Sequence, residues 1–103
     1  CSDSNEPGRI GITTVKNAYD FTAAPDDTSY APFVLGGECT LWTEAVNSSK
    51  MAEYMLFPRL CAFAEALWTK SSCKDFKRFA EALPAQKKIL SAMDILYYQG
   101  KLN

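Results

Sequence analysis

The chain has 103 residues, enough for one small domain and too few for two. Its apolar share of 48% and charged share of 22% are those of an ordinary globular protein, and a net charge of −1 supplies no basic field to recruit nucleic acid or an anionic membrane. There is no histidine, which removes Ser-His-Asp, Cys-His and histidine–metal chemistry from this sequence. The four cysteines, Cys1, Cys39, Cys61 and Cys73, form no Cys-x-x-Cys pair, so no metal or other cofactor is expected.

Residues 1–9 are polar and turn-rich and read as a loop. Over residues 10–21 the pattern is mixed. Ile12 and Val15 suit a short helical turn, and Tyr19 and Phe21 alternate as in a short extended piece. Residues 22–32 hold two prolines and two aspartates and read as a connecting loop. No charged segment followed by an apolar run marks a signal peptide.

Residues 33–44 are the convincing strand candidate. The segment opens on a continuous apolar run, as in a strand covered on both faces. Gly36 and Gly37 would weaken an isolated strand and make sense where another group comes close. Beyond them, period two puts Glu38, Thr40, Trp42 and Glu44 on one side and Cys39 and Leu41 on the other.

Ser49 reads as the N-cap of the next element, a helix. Two adjacent stripes run along it, Leu56, Leu60, Phe63 and Leu67 beside Tyr54, Phe57, Cys61, Ala64 and Trp68. Together they make a wide apolar face. Pro58 predicts a kink or a new helix starting there. The charges within residues 51–68 argue against a transmembrane span. Cys39 and Cys61, in apolar segments, read as small buried residues, with a bridge to Cys73 left open.

Ser72-Cys73-Lys74-Asp75 matches a capping box at the start of a further helix. Its narrower buried stripe is Phe76, Phe79, Leu83, Leu90 and Met93, and Pro84 is expected to divide it. One strand cannot form a sheet alone, and so wide an apolar helix face needs partners this sequence does not supply. Both point to a piece of a larger α/β domain.

Residues 34–44, Val-Leu-Gly-Gly-Glu-Cys-Thr-Leu-Trp-Thr-Glu, resemble the last barrel strand of glycoside hydrolase family 20, the β-N-acetylhexosaminidases. That strand has an apolar pair, Gly-Gly, a few residues, then Leu-Trp-x-Glu. Residues 53–60, Glu-Tyr-Met-Leu-Phe-Pro-Arg-Leu, look like the opening of the helix that follows, and Ala62, Ala64, Glu65 and Trp68 continue its pattern. Residues 75–98 are similar to the family's final helix and closing tail, and residues 12–25 match more weakly.

The resemblance implies a (β/α)₈ TIM barrel with its active site at the C-terminal ends of the strands. The chain is then a C-terminal fragment, mostly helical by itself. Residues 1–32 are loop and the end of a preceding βα unit, residues 33–103 are the last strand and C-terminal helices, and the remainder of the barrel is required for folding. The implied activity is a retaining exo-hydrolase removing terminal N-acetylhexosamine from glycans. In this family the substrate's own acetamido oxygen attacks the anomeric carbon, assisted by an Asp-Glu pair on an earlier strand. No Asp-Glu dipeptide occurs here, so catalytic residues are expected outside this chain.

Trp42 matches the tryptophan that walls the terminal-sugar pocket, where an indole face suits the apolar face of a pyranose. Glu44 matches the carboxylate that accepts hydrogen bonds from that sugar's outer hydroxyls. Glu38 reads as a buried network acid. Arg59 and Glu65, six apart, cannot pair on one helix face and should each find a partner in the rest of the barrel. Asn47-Ser48-Ser49 would be a glycosylation sequon in a eukaryotic secretory setting, and chance is the better reading of it. The family suggests a secreted, periplasmic or lysosomal protein. Two alternatives stay open: a non-catalytic helical interaction module presenting its Tyr54-to-Trp68 face, and a degenerate relative that binds sugar without cleaving it.

Overall fold

The computed structural model describes residues 13–24 and 29–103. The expectations for residues 1–12 and for 25–28 lie outside the described residues. Among the described residues there are four helices: α1 (Val15–Tyr19), α2 (Ser49–Leu56), α3 (Arg59–Trp68) and α4 (Phe76–Ala92). Short 3₁₀ turns occur at Ala31–Phe33 and Ser71–Cys73.

Each helix start has a local cause. Thr14 caps α1 by accepting from the Asn17 N–H at 3.1 Å, while Asn17 Oδ1 accepts from the Thr14 N–H at 3.0 Å, a reciprocal capping box. Tyr19 therefore lies in a helix, not in the extended piece expected of it. Ser48 caps α2 by accepting from Met51 N–H at 3.1 Å, one residue before the expected Ser49. Asp75 caps α4 by accepting from Arg78 N–H at 3.1 Å. The capping box expected from Ser72 is displaced because Ser71–Cys73 winds into a 3₁₀ turn of its own.

The prolines divide. At Pro58 the chain stops α2 and restarts as α3, one of the two outcomes expected of it. Pro84 does not divide α4, which runs unbroken past it. Pro84 lies on the exposed side, where water can serve the backbone carbonyl that a proline leaves without a donor.

The core is small and centred on α1 and α3. Val15, Tyr19 and Ala62 are its buried members, and Ala18, Phe76, Phe79 and Leu102 pack around them. Ala62 and Ala66 on α3 carry little bulk, so α1 can approach closely. The Tyr19 ring meets Phe76 and Phe79 at centroid distances of 5.3 and 5.2 Å, and its hydroxyl accepts from Asp75 N–H at 2.6 Å, tying the start of α4 to α1. The buried side of α3 thus presents Arg59, Ala62 and Ala66, a row that flanks the Leu60, Phe63 and Leu67 stripe on the side away from Cys61, Ala64 and Trp68. On α4, Leu83 and Leu90 are buried, while Met93, expected in the same stripe, is 64% exposed beyond the helix end.

Among the described residues there is no strand. Residues 34–42 run without helix or ladder pairing, and Phe33 belongs to a 3₁₀ turn. The physical reason is the lack of a neighbour. Backbone N–H and C=O groups of a strand need another strand beside them, and none is described. Phe33 and Leu35 are accordingly 82% and 102% exposed. The twin-glycine expectation holds at Gly37, where a Cβ would stand 3.1 Å from Phe21, 3.2 Å from Leu67 and 3.3 Å from Phe63. No helix among the described residues is long and apolar enough to cross a membrane.

Candidate functional site

The segment of residues 38–46 faces α1, the end of α2 and the start of α3 across a cleft of about 880 Å³. Phe21 and Phe63, with ring centroids 5.0 Å apart, form part of its floor. Leu41, Ala45 and Val46 are half-buried and hold the segment against the helices. Between them the Val46 N–H donates to the Thr43 carbonyl at 3.1 Å, closing a tight turn with Glu44 at its second position.

Trp42 and Glu44 both line this cleft. Trp42 is 78% exposed and Glu44 is exposed, so neither side chain is consumed by packing. An exposed indole beside an acceptor-only carboxylate can offer a flat apolar surface and paired hydroxyl acceptors to one ligand. The expected alternation is visible where half-buried Leu41 adjoins exposed Trp42. It fails at Cys39, which is exposed, and Glu38 is exposed too instead of sitting in a buried network.

Arg59 also corrects an expectation. It is buried, and its partners are within this chain. Nε donates to the Thr13 carbonyl at 2.7 Å, Nη1 donates to the Met55 carbonyl at 3.0 Å, and the guanidinium lies 5.0 Å from the Tyr98 ring centroid. Its fork ties the entry of α1, the end of α2 and the C-terminal segment behind the cleft.

Cys39, Cys61 and Cys73 are free thiols, so no bridge joins them, and burial pushes the Cys61 thiol above its ordinary value. Among the described residues no three of His, Cys, Asp and Glu gather as metal ligands. The sequence reading missed the opposite wall, Thr13 and Asn17 at the start of α1. The Thr-x-x-Asn spacing was available as a cap signal, but nothing in it points across the fold to Trp42.

A family model described as the glycosyl hydrolase family 20 catalytic domain matches residues 2–71, a span containing both the 38–46 wall and the helical wall of the cleft. The chain belongs to this family. It is 33% identical over 76% of its length to a beta-hexosaminidase of Porphyromonas gingivalis, and 36% identical over 57% to a beta-hexosaminidase of Vibrio furnissii. A beta-N-acetylhexosaminidase of Cellulomonas fimi is 32% identical over 68% of the chain. The matched regions span 10%, 10% and 14% of those three proteins. No solved structure gives a significant match.

Proposed function

We propose that this chain is the C-terminal part of a (β/α)₈ catalytic barrel in a retaining exo-β-N-acetylhexosaminidase. In that role residues 34–44 form the last strand once a neighbouring strand pairs with them. Trp42 walls the terminal-sugar subsite and Glu44 holds that sugar's hydroxyls. The Asp-Glu pair that orients the acetamide and moves the proton comes from elsewhere in the protein, and this chain contributes binding and orientation only.

The observation that carries the reading is the pairing of exposed Trp42 and Glu44 on one cleft, inside the family-matched span. Three relatives named as hexosaminidases support the substrate class, and their much greater length supports a barrel completed by other residues. The interaction-module reading has less support, because Tyr98 already packs on the Tyr54 end of that helix face, with ring centroids 5.7 Å apart.

The test is kinetic, on the full-length enzyme with an aryl N-acetyl-β-glucosaminide. Glu44→Gln keeps the shape and removes the charge-assisted acceptance of hydroxyl protons. It is expected to lower kcat/KM at least about tenfold, with the melting temperature unchanged. Wild-type kinetics in that variant would remove Glu44 from the sugar site.

A further inference from the structure

The C-terminal segment that follows α4 crosses back over α1, α2 and α3, and its most specific grip is on Glu53. Glu53 Oε2 accepts from the Leu96 N–H at 2.8 Å and pairs with Lys50 Nζ at 3.1 Å. Lys50 also reaches Asp94, pairing with its carboxylate at 3.2 Å and donating to its carbonyl. Two residues on, the Tyr98 N–H donates to the Phe57 carbonyl at 2.9 Å, and the Tyr98 ring meets Tyr54 and Arg59. The segment finishes against α1, where Leu102 accepts from the Lys16 N–H at 2.8 Å.

Asp94 is held at φ +57°, a left-handed conformation that costs a non-glycine residue. It stands where a glycine usually ends a helix, with Asp94 N–H donating to Ser91 O at 3.1 Å and Ile95 N–H donating to Leu90 O at 2.9 Å. Glycine would serve that turn better. The aspartate carboxylate, however, gives Lys50 a second anionic partner beside Glu53.

The gripped helix leads to the cleft. Three residues, 45–47, separate Glu44 from the Ser48 cap of α2, and the 43–46 turn closes half of that distance. The first turn of α2 therefore fixes where Glu44 can stand. We propose that Glu53 is a positioning residue. By clamping the C-terminal segment it fixes the first turn of α2, and through it holds Glu44 at the cleft. The inference rests on the reading of Glu44 as a sugar ligand.

The experiment compares Glu53→Ala, Glu53→Gln, Glu44→Gln and the Glu44→Gln/Glu53→Ala double variant in the full-length enzyme. Glu53→Ala should raise KM for the aryl glycoside about fivefold with kcat held within about twofold, and Glu53→Gln, which still accepts from Leu96, should recover most of the loss. The double variant should be no worse than Glu44→Gln alone, since a misplaced ligand and an absent one fail alike. A fall in melting temperature with unchanged KM, or fully additive losses, would overturn the positioning role. If Glu53→Ala does not fold, Lys50→Met tests the same clamp from an exposed position, and an unchanged KM there overturns it. If Glu44→Gln itself leaves kinetics unchanged, the sugar-site reading fails and this inference with it. A damaging Glu44→Gln beside a silent Glu53→Ala sinks the clamp alone.

Discussion

Gly37 lies so close to Phe63 that a Cβ on the glycine would stand 3.3 Å from the ring's Cζ, with Phe21 and Leu67 nearer still. The extended segment leans on α3 at this point, one residue before the cleft wall begins at Glu38. Gly37→Val should push the segment off the Phe21–Phe63 pair, destabilising the protein by about 1–3 kcal/mol. The check is a denaturant midpoint for the variant. An unchanged midpoint would mean that the segment does not rest on α3 in solution.

Arg59 holds two backbone carbonyls and one ring at the same time, which a lysine cannot reproduce. Arg59→Lys retains the charge but loses the fork that spans Thr13 and Met55 and the flat contact with Tyr98. It should cost about 2 kcal/mol, read as a lower melting temperature. Because Thr13 begins the far wall of the cleft, a rise in KM should accompany the loss. Wild-type stability in Arg59→Lys would show that burial alone, and not the fork, is what matters at this position.

Much of this arrangement could be read before the structure. The break at Pro58, the helix after residue 48 and the close approach at Gly37 follow from local chemistry: a lost donor, a hydroxyl cap, an absent Cβ. Trp42 and Glu44 were reachable through alternation and through the Gly-Gly…Leu-Trp-x-Glu pattern. What was not legible depends on distant residues. The buried row on α3 runs through Ala62 and Ala66, where small size admits α1, whereas hydrophobicity alone favours the bulkier stripes elsewhere on the helix. Pro84 breaks a local rule without breaking the helix, since α4 is anchored at both ends by Tyr19–Asp75 and by the turn at Asp94. The clamp on Glu53 joins positions more than forty apart in sequence, and no periodicity encodes it.

The Glu53 clamp predicts a pH dependence with a definite sign. The Leu96 N–H bond, followed by Lys50, holds the Glu53 carboxyl below the ordinary glutamate range. A depressed folded-state value means that the stabilisation is present above the unfolded value and is lost as pH falls through the folded one. Lys50 is shifted the other way, raised first by Glu53 and then by Asp94, so its contribution is present below the unfolded lysine value and is lost as pH rises through the folded one. The melting-temperature difference between wild type and Glu53→Gln should therefore be largest near neutrality and shrink in acid. A difference that stays constant down through the carboxylate range would show that the charge on Glu53 plays no part.

The exposed apolar residues predict how the 103-residue chain behaves alone. Phe33, Leu35 and Trp68 are 82%, 102% and 90% exposed, and Leu35 sits in a segment whose backbone has no described strand beside it. Apolar side chains next to unpaired backbone groups recruit other chains edge to edge. The isolated chain should bind a hydrophobic dye and self-associate at micromolar concentration, and Phe33→Ser with Leu35→Ser should reduce both effects while leaving the helical circular dichroism in place. A monomeric chain that melts in one sharp transition without binding dye would mean that these faces need no cover. The strand role given to residues 34–44 would then lose its physical motive, because a strand that opens on a continuous apolar run is stable only between neighbours.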